Sequence, residues 1–296
     1  MNLGTVVVTG ASSQLGVFLL PRLQTAGFIV LALSRKAPAA PVDVTDRVRW
    51  QQYGQVIGSA RHLVSCGPLG IACELAEQIS GLERIVAFSS SSVLTKTHSK
   101  NPVESRQMAK LLADEQRLVA ACDQRGIALA LIRPTLIYGC GLDRNVSLMA
   151  AFGRRFGFIP VASSAGGLRQ PVHSDDLAAL AVSCLLSPGA VRVRGVACGG
   201  AELSFRAMME KTAAACGGAV RVVTVNTALF RLAAGLVSLL RAQSGINSEM
   251  VRRQGRDMVF DDSEIRKAVD YHPRPFEPGP EDLQVPENAR KLQLRL

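Results

Sequence analysis

The chain has 296 residues, of which 48% are hydrophobic and 20% charged, with 26 Gly and 14 Pro spread along it. A chain of this length buries about three-quarters of its unfolded surface, which excludes a disulfide-stapled miniprotein, and the balance excludes a fibrous or low-complexity one. The net charge of +10, from 34 Lys and Arg against 24 Asp and Glu, attracts phosphorylated ligands, nucleic acid or anionic lipid without choosing among them.

In chain order, short apolar runs alternate with helix-length amphipathic segments: 5–9 then 16–26, 28–34, a brief 48–51, 62–65 then 71–80, 84–89 then 103–125, and 128–137 then 146–156. This alternation predicts βαβ crossovers and a parallel sheet. The strand runs, such as Val6-Val7-Val8 and Ile85-Val86-Ala87-Phe88, are continuously apolar, as expected where helices cover both faces. After Gly157 the rhythm changes to a loop through 163–167, a helix over 174–186, strands near 191–197 and 220–225, and a helix over 205–215. The reading is an α/β fold, a Rossmann-type doubly wound parallel sheet with a smaller C-terminal α/β substrate-binding part. Its parts are 1–157 for the dinucleotide, 158–276 for substrate with a shared sheet, and a Pro-rich tail over 277–296 expected to wrap the surface.

Seven Cys occur without a C-x-x-C pair, and there are only four His, so metal-ligand spacing is missing and reduced thiols in a cytoplasmic protein are expected. The first residues have no basic region ahead of their apolar run, and the longest uncharged apolar stretch, 232–240, is too short to span a bilayer. Seven Lys against 27 Arg favour phosphate recognition, whereas an aromatic share of 5% argues against a base-stacking surface and so against nucleic acid.

Thr9-Gly10-Ala11-Ser12-Ser13-Gln14-Leu15-Gly16 follows the first strand and opens a helix, the context a dinucleotide fingerprint requires. Gly10 permits a tight turn, Gly16 lets helix and strand approach, and the helix N-terminus offers N–H groups and a positive dipole end to a pyrophosphate. The middle glycine of the fingerprint is Ser13 here. The second strand ends in Ser34-Arg35-Lys36, where an NAD site carries an acid and an NADP site carries basic or hydroxyl groups, so NADP is favoured over NAD.

With this turn, Phe88-Ser89-Ser90-Ser91-Ser92-Val93, Leu131-Ile132-Arg133-Pro134-Thr135-Leu136-Ile137-Tyr138-Gly139 and Pro171-Val172-His173-Ser174-Asp175-Asp176 follow in order. On these four motifs the chain resembles, from about residue 5 to about residue 276, the extended short-chain dehydrogenase/reductases. More narrowly it is similar to the NAD-dependent epimerase/dehydratase group that acts on nucleotide sugars. The resemblance implies cofactor contacts from Gly10, Ser12, Ser13, Gln14, Leu15, Gly16, Ser34, Arg35, Lys36, Ser65, Ser89, Lys110 and Pro134. It implies catalytic roles for Ser90 and for Lys110, the lysine of a Y-x-x-x-K pair. The tyrosine position falls on Arg106, which stays protonated and has no acceptor, so another group must move the proton. Lys96 and His98 are the nearest candidates. Arg169 and Arg253 match positions that contact the nucleotide diphosphate, and Asn145 resembles an asparagine that faces the nucleotide. His173, with Asp175 and Asp176, reads as a hinge before a helix capped by Ser174 or Asp175, not as a metal site.

The function implied is an NAD(P)-dependent epimerase, dehydratase or reductase on a nucleotide-diphosphate sugar, with non-standard proton transfer. The alternative is an inactive member that keeps the cofactor as a structural or sensing element in a complex. The basic surface would then meet a protein partner or a membrane. A homodimer through the 103–125 helix is a family expectation.

Overall fold

A computed structural model of the chain describes residues 3–35, 48–95, 99, 101–240 and 248–286. Its first half runs β1 (Thr5–Thr9), α1 (Gln14–Thr25), β2 (Ile29–Ser34), β3 (Val48–Gln52), β4 (His62–Ser65), α2 (Leu69–Gln78), β5 (Arg84–Phe88), α3 (Ser92–Thr95), α4 (Pro102–Arg125) and β6 (Ala128–Pro134). Then come β7 (Ile137–Tyr138), α5 (Val146–Phe156), β8 (Phe158–Ala162), β9 (Leu168–Arg169), β10 (Val172–His173), α6 (Ser174–Leu186) and β11 (Arg192–Ala197). The chain continues through β12 (Leu203–Ser204), α7 (Phe205–Ala215), β13 (Arg221–Val225), α8 (Thr227–Leu240), α9 (Ser248–Arg253) and α10 (Ser263–Ala268).

Seven strands form one parallel sheet in the order β11-β6-β5-β4-β1-β2-β3. The order reverses between β1 and β4, the switch point where ligands bind in open α/β sheets. Both faces are buried: α1 and α6 cover one with Leu19, Leu23, Leu177 and Leu180, and α2 and α4 cover the other with Leu75, Ala76, Leu118 and Cys122. Val6, Val7 and Val8 of β1 have no exposed surface, which is what their unbroken apolar run anticipated.

The run expected over 128–137 divides, because Pro134 cannot donate to a ladder. Beyond it, β7 pairs β10, setting Tyr138 beside His173. β11 joins the main sheet, while β8 and β13 form a separate parallel pair. No strand was anticipated over β8, which contains Pro160; a two-stranded pair leaves one edge unladdered and accepts it. The described part of the Pro-rich tail packs into the protein: Leu283 is buried, as is Phe276 just before the tail, and Gly141 N–H donates to Asp282 O at 2.9 Å. No helix among the described residues is long and apolar enough to cross a membrane.

Candidate active site

The glycine turn has the geometry its residues suggested. Gly10 sits at φ +64°, and a Cβ there would lie 2.6 Å from the backbone of Cys66 and Gly67, so the turn presses on the end of β4. A Cβ on Gly16 would come within 2.0 Å of Ala11 O, which is the close helix-strand approach the fingerprint needs. The Ser13 hydroxyl turns back on its own helix and accepts from Gly16 N at 3.3 Å. The Gln14 and Leu15 N–H groups, the first two of α1, have no partner among the described residues. The buried Gln14 Oε1 also lacks one. Two open donors, a positive dipole end and a glycine that brings the neighbouring loop against the turn fit a pyrophosphate.

At the sheet's C-terminal edge, Thr9 Oγ1 donates to Ser65 Oγ at 3.1 Å, so Ser65 joins β1 to β4 with the hydroxyl expected to face the cofactor. Ser34 is buried at the end of β2, and Arg35 beyond it is exposed, with no carboxylate between them. Lys36, Lys96 and His98 lie outside the described residues.

Ser89 departs from its expected role. Its hydroxyl donates to Glu115 Oε1 at 2.5 Å, and the same carboxylate receives Arg133 Nε at 3.0 Å and Nη2 at 2.5 Å. Glu115 is 2% exposed, so this cluster is an internal brace between α4, β5 and β6. It fixes the strand end carrying Ser90, whose Oγ accepts from Ser92 N at 3.1 Å. Pro134 contributes through its backbone, accepting from Ser91 N at 3.0 Å. Glu115 escaped the sequence reading, although a carboxylate in step with Leu118 and Cys122 on the sheet-facing side of α4 is a visible anomaly.

A cleft of about 420 Å³ runs from Gln14 past Ser90 and Thr135 to Asn145, Arg169 and Arg253. It therefore brings together the glycine turn, the proposed catalytic serine and all three expected substrate residues. Lys110 is not among its lining residues: its side chain is 72% exposed and pairs with Asp114 at 2.7 Å, beside the start of α2. Arg106 is exposed as well. No tyrosine replaces it. Tyr53 OH donates to Glu74, Tyr271 OH donates to Cys198 O at 2.7 Å, and Tyr138 is enclosed by His173 and Phe276. Burial pushes the Tyr138 and Tyr271 phenols far above their ordinary range, away from any service as a base.

The two arginines expected to clamp a diphosphate are both engaged within the protein. Arg169 Nη1 donates to Leu168 O and Arg256 O at 2.7 and 2.6 Å, and Nη2 donates to Arg253 O at 2.5 Å. Burial lowers its pKa to about 10, and its position ties β9 to the segment after α9. Arg253 holds Glu104 of α4 through two hydrogen bonds of 2.8 and 3.0 Å. Asn145 lines the cleft at the start of α5 without capping it; Asp143 does so, accepting from Asn145 N at 2.8 Å and Ser147 N at 3.1 Å. Between them, Arg144 is exposed and has no partner among the described residues. Among the described residues it is the open cation of the cleft, and nothing in the local sequence separates it from the chain's other arginines.

His173 is itself the cap of α6, in place of Ser174 or Asp175. Its Nδ1 accepts from Asp175 N at 3.0 Å, which leaves Nε2 to donate to Asp282 Oδ1 at 3.0 Å. Asp175 and Asp176 pair with Arg22 and Arg274. The seven thiols are unpaired, and no group of His, Cys, Asp and Glu among the described residues could hold a metal ion.

No family model matches the chain. It is 30% identical over 223 residues to an uncharacterised protein, y4nG, of Sinorhizobium fredii, covering 71% of this chain and 54% of the other. The chain thus spans about half the length of the curated relative it matches. Among solved structures, it is similar to epimerase Mth375 from Methanothermobacter thermautotrophicus, with TM-score 0.70, 14% identity and coverage of 99% and 93% of the two chains. It is also similar to UDP-glucuronic acid 4-epimerase from Bacillus cereus in complex with NAD, with TM-score 0.67, 12% identity and coverage of 99% and 98%. The chain has the Rossmann-type α/β fold of these epimerases.

Proposed function

We propose that the chain is an NAD(P)-dependent oxidoreductase of the epimerase/dehydratase type, acting on a sugar carried on a diphosphate, with nucleotide sugars the class its motifs suggest. The observation that carries this reading is the single cleft joining Gln14 of the glycine turn, Ser90, and the Arg144–Asn145 corner. The cofactor would lie across the ends of β1, β2 and β4, its pyrophosphate on the Gln14 and Leu15 N–H groups, and would supply or accept a hydride. Arg35 beside Ser34 favours the 2′-phosphate of NADP.

Within the cleft, the Ser90 hydroxyl would hydrogen-bond the reacting oxygen. Arg144 would meet the diphosphate, in place of the engaged Arg169 and Arg253. Asp143 is the carboxylate among the cleft's lining residues, while Lys110 pairs with Asp114 outside them. A second reading follows from the same geometry: without a tyrosine in the cleft, the chain would hold cofactor and ligand without turnover.

Mass spectrometry of nucleotide released from the denatured protein, followed by titration with NAD(H) and NADP(H), tests the cofactor part. Binding of neither cofactor would overturn the proposal. Single-turnover absorbance of bound NAD(P)H with UDP-sugars separates the two readings. A signal lost in Ser90→Ala supports the enzyme, and a silent cofactor with tight sugar-nucleotide binding supports the second.

A further inference from the structure

A second cavity, of about 220 Å³, adjoins the cleft and shares Arg144, Asn145, Phe205, Met250 and Gln254 with it. Its inner walls are apolar, with Met149 and Phe152 of α5, Met208 and Met209 of α7, and Phe230 of α8. Among the described residues, its hydrogen-bonding side chains all stand at the shared edge, and there Gln254 Oε1 is already taken by Ala162 N at 2.8 Å. A nucleobase placed inside would bury N–H and C=O groups facing thioethers and rings, and unmet polar groups of that kind weaken binding strongly. A hydrocarbon chain has no such groups to satisfy, and unbranched methionines adapt to its path. At the mouth, the Arg144 guanidinium has no partner among the described residues, which places a positive charge where an anionic head would rest.

We infer that this pocket takes the hydrocarbon chain of a lipid phosphate, with the phosphate at Arg144. The inference deepens the reading above and rests on it for the sugar alone: the diphosphate-linked substrate of the cleft is carried on a lipid. The two cavities share Arg144 and Asn145 as wall, so a molecule that spans this edge would occupy both.

Calorimetric titration of the full chain with butyl, hexyl and octyl phosphate tests it. Affinity should rise about tenfold for each added pair of methylenes. Leu148, 41% exposed at the rim, is suited to Leu148→Glu without disturbing the core, and this change should flatten the chain-length dependence. Arg144→Gln should weaken all three phosphates by a common factor and leave that dependence intact. Thermal unfolding of each variant establishes that it is folded. Affinity independent of chain length, or an unaltered dependence in Leu148→Glu, would overturn the proposal. So would UDP binding more tightly than octyl phosphate and being lost in Leu148→Glu, which would put a nucleoside in the pocket. Titration with NADP(H) in the same samples keeps the two readings apart. Cofactor binding without chain-length dependence removes the lipid alone, and the reverse removes the oxidoreductase alone.

Discussion

Glu104 of α4 and Arg253 of α9 form a two-bond ion pair at 2.8 and 3.0 Å, with each side chain only 19% exposed. The pair links the helix that carries the Y-x-x-x-K position to the C-terminal part of the cleft. It also neutralises an arginine otherwise suited to a phosphate. Glu104→Gln should therefore strengthen binding of pyrophosphate or UDP several-fold, while costing about 1–2 kcal/mol of stability, the range between exposed and buried pairs. Calorimetry and urea unfolding measure the two effects. Weaker anion binding in the variant would mean that Glu104 orients Arg253 toward the ligand.

Gly16 is replaceable only with backbone movement, since a Cβ would come within 2.0 Å of Ala11 O, although its φ is unremarkable. Gly16→Ala should cost about 3 kcal/mol or more and abolish dinucleotide binding, because the α1 N-terminus would shift. Gly58→Ala provides the control. It is exposed, with nothing within 4 Å of its added Cβ, and should change stability by less than about 0.5 kcal/mol. Equal effects at both positions in urea unfolding would remove the steric account of the turn.

The sheet was legible because its information is local: Val6-Val7-Val8 and Ile85-Val86-Ala87-Phe88 state burial on both faces, and Gly10 and Gly16 state their turn. The site was legible as a place, since Gln14, Ser90, Asn145, Arg169 and Arg253 do line one cleft. The tasks of its side chains were less so. Ser89 bonds Glu115, Arg169 bonds three carbonyls and Arg253 bonds Glu104, partners that lie 26, 84 and 87, and 149 residues away apart from the adjacent Leu168. Motif spacing places a guanidinium, whereas its hydrogen bonds depend on what long-range packing brings beside it. Strand β8 was hidden for a related reason, since Pro160 is acceptable only because the pair it forms leaves one edge unladdered.

The Glu115 brace predicts an asymmetric mutational response. Glu115→Gln leaves Arg133 mostly buried without its counter-charge and should cost about 3 kcal/mol. Replacing both partners by apolar residues, Glu115→Leu with Arg133→Met, should recover most of that loss. Denaturant midpoints of the two single variants and the double variant measure the coupling. A double variant no more stable than Glu115→Gln would show that Ser89, not the charge pair, depends chiefly on Glu115.

Acid should unfold the protein in two stages. His62 at the start of β4 packs its ring edge-to-face on Phe28, and its buried Nδ1 has no partner. Burial first, then the charge of Arg61, lowers its pKa below the ordinary 6.5. The unfolded chain thus takes up a proton that the folded one refuses, so stability falls as pH drops below about 6.5. Asp175 and Asp282 act lower. Burial pushes both carboxyls up, but Arg22 and Arg274 on Asp175, and His173 with the Gly279 N–H on Asp282, outweigh it and hold them below 3.8. Their contribution is complete above pH 3.8 and is lost as pH falls through the folded values. Chemical denaturation from pH 7.5 to 3 should show both declines. His62→Phe should remove the first and keep the second, and Asp175→Asn should keep the first and reduce the second to the part that Asp282 contributes. A first decline that survives in His62→Phe would assign it to another group.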